Sequence, residues 1–216
     1  SRLRPHLVPN RKIIATVRDG SSVRELASYL IKIGFEKTCI TCLESLGGEK
    51  QKITRKRADK MGEVEFLHPV MVGLDIAGNG EAMQASSGLP DSWFIHDGQI
   101  TKQAIRAFTL SSLAPRAGEH LWDLGAGSGS IGIEWLLSGP SMRATAVEKQ
   151  PNRVDNIRQN ATTLGVDHLV VVESNIIDAI YELEKPDCIF IGGGLSEKLL
   201  DLLWTHMSDG TRLVVN

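Results

Sequence analysis

The 216-residue sequence is short of aromatic residues (5%) and holds only three cysteines. Three cysteines cannot form the disulfide framework that staples small extracellular domains. Cys39 and Cys42 make a C-x-x-C in "KTCITCLE". A zinc or redox reading of it needs a second ligand pair or a helix start, and the sequence offers neither. The surroundings read as a strand, whose period of two sends the thiols to opposite faces, and buried strand cysteines are expected. The six histidines show no metal-ligand spacing, so no metal site is expected. No apolar run approaches membrane-spanning length, and "SRLRPHLVPNRK" lacks the apolar core of a signal peptide. The expectation is a cytoplasmic protein with no membrane partner.

What is there is ordinary globular composition, 42% hydrophobic and 23% charged, with length for one large domain or two small ones. The net charge of −2 is divided unevenly. Residues 1–90 carry 14 Lys and Arg against 10 Asp and Glu, a net +4; residues 91–216 carry 10 against 16, a net −6. The acidic half weighs against a nucleic-acid partner.

Along the chain, 12–18 read as a strand, 22–33 as a helix capped by Ser21 or Ser22 and stopped by Gly34, and 38–43 as a second strand. The basic stretch "GGEKQKITRKRADKMGE" reads as a solvated surface helix or loop, and 64–73 as a strand. Residues 75–92 are rich in Gly, Ser and Ala. The domains are therefore placed at 1–80 and 93–216, with 81–92 as the linker. A helix over 101–113, capped by Thr101, opens a regular alternation. Strands at 119–124, 143–148, 168–172, 187–191 and 211–215 are separated by helices at 129–138, 151–164, 176–183 and 195–207. That alternation predicts a doubly wound, parallel α/β sheet. The chain stops in or just after the fifth strand, so a piece of a longer protein is expected.

The stretch "LWDLGAGSGSIGIEW" lies at the first strand-to-helix junction of this alternation. Gly127, Gly129 and Gly132 satisfy the dinucleotide pattern G-x-G-x-x-G. Asp123, Gly125, Gly127 and Gly129 satisfy D-x-G-x-G-x-G, the first motif of S-adenosylmethionine (SAM) methyltransferases. Glu148, ending the second strand, would hold ribose hydroxyls in either case. A dinucleotide places a pyrophosphate at the helix N-terminus. SAM instead carries an ammonium and a sulfonium, which a carboxylate such as Asp123 favours. The loop therefore favours SAM.

"LPDSWFIHDGQITKQAIRAFTLSSLAPRAGEHLWDLGAGSGSIGIEW", "LGVDHLVVVES" and "PDCIFIGGG" closely resemble the C-terminal domain of the cobalamin-biosynthetic precorrin-6Y C5,15-methyltransferases (decarboxylating). Residues 11–74, with "CLESLGGEKQKI", resemble the C-terminal part of that family's other domain, a tetrapyrrole methylase of a different fold. The resemblance implies a class I, Rossmann-like SAM methyltransferase domain preceded by a tetrapyrrole methylase remnant. It implies a precorrin substrate with eight carboxylates, methylation of carbon 15, and loss of carbon dioxide from the ring C acetate. The N-terminal domain methylates carbon 5, but its glycine-proline SAM motif is absent here. The resemblance also implies a homo-oligomer, a tetramer among the forms. Carried over by position, Thr101, Gly125, Ala126, Gly127, Ser128 and Gly129 would line the SAM methionine. Asn175 and Ile176 would flank adenine, although "SNII" departs from the family pattern there. Gly192, Gly193 and Gly194 would border the substrate.

The acid-base residue is not identified by the sequence. His96 is a candidate proton donor, while Asp97 fits simple turn chemistry in "HDG". Lys102 and Arg106, four apart on one helical face, are candidates for holding substrate carboxylates, or for an ordinary solvated face. Trp93, Phe94, Trp122 and Trp135 read as core. Two rivals stand beside the main reading: a SAM-dependent RNA or protein methyltransferase, and a non-catalytic module of the same fold. The −6 charge and the lack of an N-P-P-Y-like stretch after "FIGGG" weigh against the first, and the intact loop with Glu148 against the second.

Overall fold

The computed structural model describes residues 2–216 as two units, residues 6–83 and residues 84–216 together with 2–5. In the first unit, β1 (Lys12–Thr16), β2 (Cys39–Glu44), β3 (Lys52–Arg57) and β4 (Val70–Asp75) form a sheet in the order β1-β4-β2-β3, with every neighbouring pair antiparallel. β1 and β2 therefore run the same way with β4 between them. The connection between them is α1 (Ser21–Lys32), which buries Val23, Ala27 and Leu30 at helical spacing. Its first turn is capped by Asp19, whose carboxylate accepts the Ser22 N–H at 3.0 Å and both serine hydroxyls. The serines expected as caps are instead ligands of the cap. Gly34, at φ +83°, closes the helix as expected.

Two sequence expectations fail in this unit. Residues 52–57 are neither helix nor loop: β3 pairs with β2 from Cys39 opposite Arg57 to Glu44 opposite Lys52. Its basic side chains are solvated, as a charged edge strand requires, so the composition reported exposure and not backbone state. The strand expected over 64–73 runs from Val70 to Asp75. Pro69 has no N–H to give a ladder, and pairing starts after it. Cys42 is buried while Cys39 is half-exposed, with its sulfur 3.0 Å from Arg55 Nε.

In the second unit, five strands run parallel in the order β7-β6-β5-β8-β9: β5 (His120–Leu124), β6 (Arg143–Glu148), β7 (Val170–Glu173), β8 (Cys188–Ile191) and β9 (Arg212–Val215). Every residue of central β5 is buried, as a strand covered on both faces must be. α2 (Gln103–Leu113), α3 (Ser130–Leu137) and α4 (Pro151–Leu164) pack on one face. α5 (Ile176–Ile180) and α6 (Glu197–His206) cover the other, where Trp122, Leu124, Ile189 and Ile191 meet Ile180, Leu199 and Leu203. The chain leaves β5 toward β6 on one side and reaches β8 on the other. A crevice must therefore open at the carboxyl end of β5.

α2 is tied to α3 by a buried ion pair. Arg106 is fully buried, and its Nε donates to Glu134 Oε1 at 2.5 Å. Its other nitrogens donate to Asp91 Oδ1 at 3.1 Å and to the carbonyls of Thr101 and Leu89, and its guanidinium lies 4.8 Å from the Phe94 ring. Glu134 also accepts the N–H groups of Gly88 at 2.6 Å and Leu89 at 2.9 Å. Thr101 does not cap α2; the cap position is Lys102, with no side-chain cap bond. Trp122, Trp135 and Phe94 are core, and Trp93 is half-buried against Arg4, 4.7 Å from its ring.

Removing one partner of a buried, hydrogen-bonded pair strands the other charge. Glu134→Ala is expected to lower unfolding stability by about 3–5 kcal/mol, read from urea denaturation of the 216-residue chain. A loss below about 1 kcal/mol, the level of a surface pair, would contradict the network described.

Candidate active site

The glycine loop leaves β5 and folds back at once. Gly125 N–H and Ala126 N–H both donate to the Val147 carbonyl at 2.9 and 3.0 Å, and Gly129 N–H donates to Ala126 at 2.8 Å. Gly125, Gly127 and Gly129 have φ of +74°, +59° and +74°, which side chains rarely adopt. Gly129 is constrained twice, since an added Cβ would lie 2.8 Å from Ile157 Cγ2. Glu148, at the end of β6, fixes the loop from beside it. Its Oε2 accepts Gly127 N–H at 2.9 Å, and its Oε1 accepts Lys149 and Gln150 N–H at 2.9 and 3.0 Å. Three of about four carboxylate acceptor sites are thus used, leaving capacity on Oε2.

Asp123 lies under the loop. Period two puts Trp122 and Leu124 on the α5–α6 face and Asp123 on the α3 face, where its Oδ2 accepts Gly132 N–H at 2.9 Å. Burial pushes its carboxyl up to about 7; the Gly132 bond pulls down and the nearby Glu148 charge pushes further up.

Above the carboxyl ends of β5, β6, β7 and β8 lies a cavity of 830 Å³, within the span of about 300–1,000 Å³ usual for small-molecule sites. Thr101, Gly125, Ala126, Gly127, Glu148, Asn175, Ile176, Gly192, Gly193 and Gly194 all line it, as does Lys102. Asn175 also caps α5, its Oδ1 accepting Asp178 N–H at 3.1 Å. Asp123, Ser128 and Gly129 do not line it. Ser128 is buried, and Gly129 faces Ile157.

Two candidates from the sequence are corrected. Arg106 cannot meet a substrate carboxylate, because its guanidinium is fully buried on Glu134 and Asp91. It also shares no helical face with Lys102, which precedes α2. His96 does not reach the cavity wall; its Nδ1 accepts Gly98 N–H at 3.0 Å. Asp97 does the turn chemistry expected, accepting Gln99 N–H at 3.1 Å, and also accepts from Arg153 Nε at 2.7 Å. That ion pair holds the Asp97 carboxyl below its usual range.

The sequence reading missed Gln99, Lys149, Arg153, Ser196 and Asn216 on the wall. A signal existed for two of them: Lys149 and Arg153 follow Glu148 at the carboxyl end of a parallel strand, where such sheets bind ligands. Asn216 gave none, since it reaches the wall only through its place after β9.

A family profile described as a precorrin methyltransferase domain matches residues 92–216. The chain belongs to the precorrin methyltransferase domain family. It is 43% identical over 218 residues to a precorrin-6Y C(5,15)-methyltransferase [decarboxylating] of Sinorhizobium sp, a match over 99% of the chain and 52% of the relative. The chain thus spans about half the length of that curated relative. A probable cobalt-precorrin-6B C(15)-methyltransferase (decarboxylating) of Saccharolobus solfataricus is 38% identical over 137 residues, 60% of the chain and 68% of the relative. The crystal structure of the C-terminal domain of precorrin-6Y C5,15-methyltransferase from Rhodobacter capsulatus superposes with a TM-score of 0.59 at 46% identity, covering 62% of the chain and 72% of that structure. The fold is the Rossmann-like α/β architecture of the class I methyltransferases.

In this family member, Asp123 keeps its proton in the folded state at pH values where an unfolded Asp, near 3.8, has lost it. The raised pKa contributes stability below the unfolded value, and that contribution is lost as pH rises through about 7. Asp123→Asn should therefore flatten the fall in urea midpoint between acid and neutral pH. Comparing the two proteins isolates Asp123 from His120, whose pKa burial lowers and which acts in the opposite sense. Identical pH slopes would refute the assignment.

Proposed function

We propose that the chain is part of a SAM-dependent C-methyltransferase that methylates carbon 15 of a precorrin and removes the carboxyl group of the ring C acetate, in cobalamin biosynthesis. Residues 6–83 then belong to a tetrapyrrole methylase domain whose parent protein also methylates carbon 5. Cytoplasmic action and homo-oligomeric assembly, a tetramer among the forms, complete the reading. Among the described residues no helix is long and apolar enough to cross a membrane.

The observation that carries the reading is the joint presence of Glu148 and the Gly125–Gly127 loop on one wall of the cavity. The residues fit SAM. A Cβ on Gly193 or Gly194 would meet nothing within 4 Å, so the backbone there borders open space. Glu148 keeps acceptor capacity for a ribose hydroxyl. Two carboxyl groups, Glu148 and Asp123, sit beside or beneath the loop, which favours a cationic ligand over a pyrophosphate. The acidic character of residues 91–216 speaks against RNA as the methyl acceptor.

SAM, when bound, supplies a methyl group on a sulfonium that leaves as a neutral thioether. The chain's own part is positioning. Glu148 would hold the ribose, the 125–127 backbone and Thr101 the methionine end, and Asn175 with Ile176 the adenine. Ile105, Ile131, Ile177 and Leu199 give the cavity apolar wall that excludes water. The ionisable wall side chains are Lys102, Glu148, Lys149 and Arg153. The one carboxylate among them accepts three backbone N–H groups and would give its remaining capacity to the ribose, so alignment of the reactants is the main source of rate. In the decarboxylation, the bond electrons pass into the conjugated macrocycle, and the acetate carbon takes up a proton.

Calorimetry tests the cofactor: SAM and S-adenosylhomocysteine are expected to bind, and NAD is not. Glu148→Ala should weaken S-adenosylhomocysteine binding about tenfold or more, from lost charge-assisted hydrogen bonds to ribose and a loosened loop. Tighter binding of NAD than of SAM would overturn the reading. Incubation of the chain with precorrin-6 intermediates and SAM should yield a product that has gained one methyl and lost one carbon dioxide by mass. A second added methyl would instead assign carbon 5 chemistry to this chain.

A further inference from the structure

We propose that Lys149 and Arg153 form a carboxylate-recognition site on the cavity wall that fixes the orientation of the polycarboxylate substrate. The inference rests on the reading above and assigns to it two residues that the glycine loop and Glu148 do not explain. Both residues line the cavity. Arg153 is held by one edge: its Nε donates to Asp97 Oδ2 at 2.7 Å, and Asp97 is itself fixed by Gln99 N–H at 3.1 Å. The terminal nitrogens of Arg153 have no partner among the described residues, and neither does the Lys149 ammonium. A guanidinium anchored through Nε, with its two-nitrogen end left over, is pre-organised for bidentate binding of a carboxylate. Lys102, the third cation on the wall, lies 3.9 Å from Asp91 and is already partnered.

The position decides which molecule supplies the anion. Lys149 follows Glu148 directly, so the cofactor group beside it would be the ribose, which carries no charge in SAM. The methionine carboxylate of SAM would lie at the other end of the loop, by Thr101. An anion facing Lys149 and Arg153 must then belong to a second molecule, and a macrocycle with carboxylates around its rim presents one. A dinucleotide with a 2′-phosphate on its ribose would also place an anion here, and the test separates the two.

Uroporphyrin, a stable fluorescent tetrapyrrole with eight carboxylates, and coproporphyrin, with four, are titrated into the chain in the presence of saturating S-adenosylhomocysteine. Uroporphyrin is expected to bind more tightly than coproporphyrin. Lys149→Gln and Arg153→Met should each weaken uroporphyrin about tenfold, with S-adenosylhomocysteine affinity changed less than about twofold and thermal midpoints preserved. Asp97→Asn, which frees Arg153 without removing its charge, should give a smaller loss. The proposal is overturned if uroporphyrin does not bind, if both variants bind it as tightly as the unaltered chain does, or if the variants lose S-adenosylhomocysteine binding instead. It is also overturned if NADP binds with an affinity that depends on Arg153. Failure of the unaltered chain to bind S-adenosylhomocysteine would sink the cofactor reading itself, independently of the porphyrin result.

Discussion

A guanidinium with no exposure to water must be matched by acceptors or the fold that buries it will not form. Arg106 meets that constraint with two carboxylates and two carbonyls. The carbonyls and one carboxylate come from residues 89–101, the segment that leads into the cavity wall at Gln99, Thr101 and Lys102. The other carboxylate, Glu134, belongs to α3, whose N-terminus is the glycine loop. One buried pair therefore sets the distance between the two sides of the site, the arm before α2 and the loop after β5. Asn160 adds a second tie, bonding both N–H and C=O of Ile95 and the carbonyl of Ser128. The arm is held at Leu89, at Ile95 and at Thr101, which makes its path across the loop a consequence of α3 and α4.

The same network explains what the sequence could and could not disclose. Alternating strands and helices from 101 onward were legible because each element is specified locally, by apolar periodicity and by end signals such as Pro151 at the first turn of α4. The loop and Glu148 were legible because the chemistry sits at fixed offsets from β5 and β6. Arg106 was not legible. Its partners lie 15 and 28 positions away, and a basic residue three positions into a helix looks the same whether it faces water or an acid on another helix. The strand at 52–57 failed for a related reason: charge predicts solvation, which an edge strand satisfies as well as a loop does. Asp123 was found in its motif as a carboxylate that favours a cationic cofactor, but its place beneath the loop, on Gly132 N–H and off the cavity wall, was not legible. The face is set by the alternation of β5 and not by the spacing of the glycines.

The two acids of the site divide the work of holding the loop. Glu148 accepts N–H groups from Gly127, Lys149 and Gln150 at the cavity wall. Asp123 accepts a single N–H from Gly132 and lies in a dry place, so its charge is resisted. A cation bound over the loop would favour the ionised form of Asp123, and a neutral ligand would not. This couples the protonation of Asp123 to the charge of whatever occupies the site. The coupling exists even though Asp123 does not line the cavity, since a buried charge is felt through low-dielectric surroundings.

Charge is also organised against the average of the unit. Residues 91–216 carry a net −6, yet three of the four ionisable side chains on the cavity wall are cationic. Such an inversion costs little in an exposed cavity rim, where water still solvates Lys102 and Lys149. It has a directional effect, because a basic cleft in an acidic surface concentrates the field at the cleft. Polyanions such as nucleic acid would meet repulsion from the net charge of the unit. The polycarboxylate proposed above would neutralise these cations. If the methyl acceptor is the polycarboxylate proposed above, the acidity that argues against nucleic acid at the level of composition also directs the acceptor's carboxylates to the cationic wall.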